Sequence, residues 1–368
     1  MRAEEIARRR LRNSGLVRSS FTSAVDVVRW HVAVQAQDWG PTKWSIGERA
    51  SGETDADVDA ALARGSIVRT HLLRPTWHVV AREDVRWLLA LTGPIVQRGN
   101  ARRLRELNLD ATQLARSERV ISKALEGGER LTRVELGKRL AGARVDPGGQ
   151  RLPYILMHCE LEALIGSAGL SGKQHTYGLL DERVPGDRRR FDRDEAVVEL
   201  TRRYLAGHGP ASPQDLGWWS SLSIGDVRKA LEALGEDVRS ETVDGVELWM
   251  SAEEPAGAAA VRGVHLLPPY DEVIVGYRQS RYLGDPRAPE AMAAWKDRTL
   301  PNGVILVRGR VAGLWRRATD PGQVRVDAHL FGGLEATARG GLESAVRRLG
   351  RFLGHPATLA VAPLGRAR

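Results

Sequence analysis

The chain has 368 residues, 42% of them hydrophobic and 27% charged, with a formal net charge of +9. Such a composition supports a core divided among about two or three small domains and excludes wholesale disorder. No apolar run, Val304–Val307 included, approaches the roughly 20 residues of a membrane-spanning helix.

Residues 1–14 read as a helix charged along most of its length, with charge where a secretory signal would be apolar. Ser23 caps a second helix, Ala24 to Gln37, whose Val27, Val28, Val32 and Val34 fall at roughly helical spacing. Pro41 opens a third helix through Arg49. Thr54 caps a fourth, Asp55–Arg64, with acid in its first turn where the helix dipole favours it. Two β-rich runs follow, Ser66–Thr70 and Thr76–Val80. Helices followed by a short hairpin is the order of a winged helix-turn-helix, so 1–81 is expected to form one such unit and 82–109 a basic helical connector.

The order recurs. Helices are expected at Asp110–Leu125, Thr132–Ala141 and Leu152–Gly166, with Leu170–Leu180 as the wing of a second unit, 110–184. A third unit, 185–252, has helices at Asp192–Ala206, Ser212–Ser220 and Ser223–Leu234. Its strands, Val238–Val243 and Val246–Met250, join at Asp244-Gly245, a favoured hairpin turn. An Ala/Gly/Pro linker spans 253–261. Beyond it come β-rich runs at Val264–Leu267, Glu272–Tyr277, Val304–Val307, Val311–Trp315 and Val324–Leu330, then a basic helix at Leu334–Leu353 and an edge strand at Thr358–Val361. The expected fold is mainly α with small β wings: three tandem winged helix-turn-helix units plus a C-terminal αβ element, 264–368, packed on the third unit.

Chemistry-bearing motifs are sparse. There is no Walker loop, dinucleotide fingerprint, HExxH or paired CxxC. His71, His78, His158 and His175 are scattered, so neither a metal nor another cofactor is expected. The single cysteine, Cys159, lies in an apolar segment and reads as a core thiol. With only six lysines, the positive charge is almost all arginine. Arginine forks two hydrogen bonds onto a phosphate, which points to a polyanion; GC-rich codon usage gives the same excess. The segment Val34-Gln35-Ala36-Gln37-Asp38-Trp39-Gly40-Pro41 stands out. Where a helix frays, two amides one residue apart turn into a cleft; the same spacing also suits a solvated helix end.

Four blocks carry a resemblance: Gln35-Ala36-Gln37, Arg69-Thr70-His71-Leu72-Leu73-Arg74-Pro75-Thr76-Trp77-His78, Leu266-Leu267-Pro268-Pro269-Tyr270-Asp271-Glu272, and Gly309-Arg310-Val311-Ala312-Gly313-Leu314-Trp315-Arg316. Through them the chain resembles the AlkZ-like DNA glycosylases, a superfamily of three tandem winged helices. The resemblance implies hydrolysis of the N-glycosidic bond of cationic N7-alkylated purines, including unhooking of interstrand crosslinks, with Gln35 and Gln37 in the catalytic cleft. A related branch has Gln-x-Asp there; glutamine at the second position places this chain with the crosslink-resistance branch.

A primary amide neither ionises nor acts as a general base near pH 7, so Gln37 orients a water without taking its proton. The substrate supplies the activation, because N7 alkylation makes guanine a cationic, readily departing base. Positioning then suffices, since effective molarity contributes roughly 7–11 kcal/mol in well-oriented systems. A crosslinked base cannot be flipped out freely, so the protein must reach into the duplex. Val304–Trp315 reads as a hairpin with a basic tip, Arg308-Gly309-Arg310, that enters a groove or stays an ordinary exposed hairpin. Arg69, Arg74 and the Arg98–Arg105 cluster line the same channel in this reading. The six lysines include none beside the glutamines, so a monofunctional glycosylase is expected, leaving an abasic site. The expected partner is double-stranded DNA carrying alkylation damage or crosslinks, met by a cytoplasmic, nucleoid-associated monomer without membrane contact. The alternative is a winged-helix transcription regulator without catalytic activity, with Gln35 and Gln37 merely structural; three dissimilar units in one chain weigh against it, because regulators usually dimerise on palindromic half-sites.

Overall fold

The computed structural model describes residues 3–17, 19–186, 191–253, 263–280, 303–320 and 322–363. About half of the described residues are helical and the sheets are small. Among the described residues no helix is long and apolar enough to cross a membrane. After α1 (Ala3–Asn13) come α2 (Ala24–His31), β1 (Ala33–Gln35), α3 (Trp39–Gly47), α4 (Asp55–Arg64), β2 (Ile67–Leu72) and β3 (Thr76–Ala81), the strands forming a sheet in the order β1-β3-β2. Thr54 and Asp57 form a reciprocal capping box at the start of α4, and Gly65 stops it in the left-handed conformation at φ 73°.

The helix expected to run to Gln37 ends six residues early. Val32 takes φ 67°, and Ala33–Gln35 pairs with β3, placing Gln35 opposite His78. Val32, Val34 and Ala36 alternate with Ala33, Gln35 and Gln37, a strand period that the valines at 27 and 28 disguised as a helical one. β-Branched residues pack better on a sheet than on a helix, and β3 supplies the partner. The third helix starts at Trp39, two residues before Pro41, which sits harmlessly in the first turn where an N–H has no acceptor.

The connector is one helix, α5 (Val85–Glu106). Then α6 (Ala111–Leu125), β4 (Leu131–Thr132), α7 (Arg133–Gly142), α8 (Arg151–Leu161), β5 (Ile165–Ser171), β6 (Gln174–Leu179) and α9 (Leu180–Arg183) repeat the first arrangement, with sheet order β4-β6-β5. The helix expected to reach Gly166 ends at Leu161, since Ile165 onward is claimed by β6. This unit has its own core, in which Cys159 is fully buried beside Leu136, Leu140 and Ile155, and burial pushes the thiol up, away from reactivity. In the third set, α10 (Arg193–His208), α11 (Pro213–Ser220) and α12 (Ile224–Leu234) precede the hairpin β7 (Val238–Val243) and β8 (Val246–Ser251). A single bridge, Ala211 to Trp249, stands where the others have a first strand. Ile6 of α1 packs on this hairpin, against Val243 and Leu248.

Beyond the linker expected at 253–261, which lies outside the described residues after Glu253, come β9 (Val264–Leu267), α13 (Glu272–Val275), β10 (Gly303–Val307), β11 (Arg310–Asp320), β12 (Gln323–Leu330), α14 (Ala336–Leu353) and β13 (Ala357–Pro363). They build a five-stranded sheet ordered β13-β12-β11-β10-β9. The run expected as a strand at Glu272–Tyr277 is instead a helical turn, because Asp271 caps it, its Oδ1 accepting the Val273 N–H at 3.0 Å.

The C-terminal element packs chiefly on the first unit, not the third. Val27, Val28, Trp44 and Ile46 share one core with Leu266, Ile305, Leu342 and Phe352. The third unit's apolar surface is already occupied, since Leu200, Trp219 and Leu231 pack with Leu88 of α5, with Val32 at the end of α2 and with Leu72 and Val80 of the first sheet. The last residue of β1 therefore lies where first unit, third unit and C-terminal element meet.

Candidate active site

The backbone of Gln35 and Ala36 is pinned at every polar group. The Gln35 N–H donates to Glu272 Oε1 at 2.7 Å, and its carbonyl accepts from the Thr42 hydroxyl at 3.1 Å. Ala36 donates its N–H to Trp77 O at 2.7 Å and accepts from Arg69 Nε at 3.0 Å. The Gln35 side chain is buried, with Oε1 accepting from Arg74 Nη2 at 3.0 Å. Gln37 is exposed, on the bend between β1 and α3. The backbone is thus held rigidly and one amide is presented outward, the arrangement a positioning site requires.

Gln35 and Arg74 border a cavity of about 830 Å³ together with Thr76, Gln214, Trp218 and Arg278. Its walls are the β2–β3 turn and α11. Trp218 is 39% exposed there, with the Arg74 and Arg278 guanidiniums 5.1 and 5.5 Å from its ring. Aromatic and cationic groups so combined suit a nucleotide chain. A second cavity of about 300 Å³ is lined by Asp38 and Pro41 on one side and by Trp315, Arg316 and Arg317.

The predicted arginines separate. Arg74 reaches Gln35, as described. Arg69 is buried, its guanidinium 4.4 Å from the Trp77 ring, and it acts on the Ala36 carbonyl rather than at the surface. Arg98, Arg102, Arg103 and Arg105 are exposed on α5, with Arg102 and Arg103 paired to Glu106. Arg308 and Gly309 form a two-residue turn at φ 50° and 80°, and Arg308 pairs with Glu335 at 3.2 Å on the surface. The other end of that hairpin, at Gly303 and Trp315, borders Asp38, so the tip lies about 13 Å of strand away from it. Arg316 and Arg317, further along the same strand, are the basic residues beside the glutamine bend.

Sequence reasoning left Glu272 without a role. It is 1% exposed, and Oε2 accepts from Trp219 Nε1 at 3.0 Å and from His208 Nε2 at 3.3 Å. Burial raises its carboxyl, but the bonds from His208 and the Gln35 N–H outweigh this and hold it below the ordinary value. The available signal was two acids, Asp271-Glu272, set between Leu266-Leu267 and Val273-Ile274: acids among apolar residues are buried and partnered. Opposite Gln35, burial and the nearby Arg74 push the His78 imidazole down to about 3, leaving it neutral. Among the described residues, no group of three His, Cys, Asp or Glu side chains could hold a metal ion.

A family model described as "DNA glycosylase AlkZ-like" matches residues 28–352. The interstrand DNA cross-link repair glycosylase of Streptomyces sahachiroi is 25% identical over 306 residues, spanning 80% of this chain and 82% of that protein. The solved structure of the Streptomyces sahachiroi DNA glycosylase AlkZ covers 98% of this chain and 100% of its own, with a TM-score of 0.80 and 22% identity. At that identity the likeness is one of fold.

Proposed function

The chain belongs to the AlkZ-like DNA glycosylase family, and from that premise we propose that it hydrolyses the N-glycosidic bond of cationic N7-alkylated purines in duplex DNA, including those tied into interstrand crosslinks. The observation that carries this is the fully hydrogen-bonded Gln35-Ala36 backbone, which sets Gln35 on an arginine- and tryptophan-lined cavity and leaves the Gln37 amide exposed on the bend that follows. In this reading Gln37 holds the attacking water through its amide oxygen, while Gln35, oriented by Arg74, faces the sugar. The alkylated base leaves neutral, so no strong acid is needed to assist it. Lys43, six residues from Gln37, is tied to Asp55 and Asp59, which favours hydrolysis over a Schiff base and leaves an abasic site.

We read the three helix-plus-hairpin units as tandem winged helices, 1–81, 110–184 and 185–252, joined by the helical connector 82–109 and followed by the C-terminal element 264–368. The protein acts in this proposal as a cytoplasmic monomer on nucleoid DNA, away from membranes. Arg74, Arg278, Arg316 and Arg317 contact the damaged strand, with Arg308 and Arg310 on phosphates farther away. Membership of a glycosylase family disfavours the sequence-reading regulator.

The test is chemical. Purified protein is expected to release N7-alkylguanine from duplex DNA without added metal or nucleotide, unaffected by chelator, and to leave uracil and unmodified guanine in place. Chromatography of the released bases decides it; efficient uracil excision would contradict activation by a cationic leaving group. Affinity for undamaged duplex is expected to fall steeply with salt, with a log–log slope near −0.9 for each phosphate neutralised. A flat titration would remove DNA as the partner.

A further inference from the structure

Glu272 bonds to three parts of the chain at once. One oxygen takes the backbone N–H of Gln35 from the first unit; the other takes Trp219 of α11 and His208 of α10 from the third. The carboxylate itself belongs to the C-terminal element. Its surroundings are built to keep it there. The His208 ring stacks on Tyr204 at 4.6 Å with 10° between planes. The Tyr277 hydroxyl donates to the His208 carbonyl at 2.6 Å, and the Tyr204 hydroxyl to the Gly276 carbonyl at 2.7 Å. A Cβ at Gly276 would come within 2.9 Å of His208 Cδ2, so α13 approaches the ring only because glycine stands there. Trp219 follows Trp218, whose indole lines the cavity.

On these contacts, and resting on the reading of the cleft as a base-releasing site, we infer that Glu272 is a positioning residue. It holds the end of β1, and with it the two glutamine amides, in register with the α11 wall, without touching the substrate. A buried carboxylate suits the task because it accepts from all its partners, as no neutral side chain of its size does. Glutamine in its place keeps the volume but turns an N–H₂ either toward the Gln35 N–H or toward the Trp219 and His208 N–H groups together, so one side of the junction between β1 and the third unit loses its acceptor.

The experiment has two arms. In single-turnover base release, Glu272→Gln is expected to lower the rate about tenfold or more, with affinity for lesion-containing duplex within about twofold, because small displacements of a positioned group are costly in rate. In a Gln35→Ala/Gln37→Ala background the same substitution is expected to cost nothing further. An additive loss there, or a full rate in the single variant, overturns the inference. The second arm does not depend on activity. Amide hydrogen exchange across residues 33–38 is expected to rise at least about tenfold in Glu272→Gln while residues 111–180 are unchanged. Unchanged exchange at 33–38 overturns the inference by itself, and if the wild-type protein releases no base, the proposed reaction fails while this arm still decides the anchoring. Glu272→Ala, measured alongside, is expected to exceed the glutamine variant in exchange.

Discussion

Gln37→Ala is expected to lower the single-turnover rate of N7-alkylguanine release by about 10²-fold or more, with affinity for the same duplex nearly unchanged. The size follows from the division of labour at β1. Every backbone group of Gln35 and Ala36 is satisfied by protein, so removing an exposed amide at 37 leaves the scaffold intact and takes away only the group that holds water. Gln35→Ala is expected to cost as much or less, and the two losses to combine less than additively if both amides serve one water. Gln37→Asp is the sharper comparison. A carboxylate orients water and stabilises the developing sugar cation as well, so release of N7-methylguanine is expected to survive or rise. Rapid-quench kinetics on one labelled duplex measures all three. Full release by Gln37→Ala, with loss in an Arg308/Arg310 double variant, would place the chemistry elsewhere.

Asp271→Ala is expected to destabilise the protein by about 3–5 kcal/mol, because it leaves a fully buried guanidinium without its counter-charge. Arg49 Nη2 and Nη1 donate to Asp271 Oδ1 and Oδ2, each at 2.8 Å, and Ser45 adds a third bond at 2.7 Å. Arg49 also donates to the Ser14 carbonyl at 2.8 Å, so the pair ties the N-terminal segment, α3 and the C-terminal element together. Chemical denaturation reads the loss. Removing both partners in Arg49→Met/Asp271→Leu is expected to recover part of it, since a buried pair replaced by apolar groups forfeits little. Burial alone would raise the Asp271 carboxyl; the Arg49 charge and hydrogen bonds outweigh this and hold it below its ordinary value. The contribution to stability is therefore complete above the unfolded carboxylate range, near about 4, and is lost as pH falls through the lower folded value. An acid midpoint that shifts upward in neither variant would contradict this.

Much of the architecture was legible because its determinants are local. Ser23 and Thr54 sit before helical runs and cap them. Asp244-Gly245 closes the third hairpin, and the arginine excess and the missing cofactor motifs are properties of composition alone. The glutamine pair was also visible, as a motif. Its setting was not. A run such as Val27–Gln37 satisfies a helical and a strand period in different parts, and only pairing with β3 decides that the chain leaves the helix at Val32. Whether Arg69 faces solvent or the Ala36 carbonyl, 33 residues away, and which end of the β10–β11 hairpin lies near Asp38, depends on elements that only the fold brings together. Burial of Glu272 against Gln35, 237 residues away, has the same origin. Helix caps and turns are fixed by neighbours in the chain, whereas a buried carboxylate chooses its place by desolvation and by the donors that the assembled fold delivers to it.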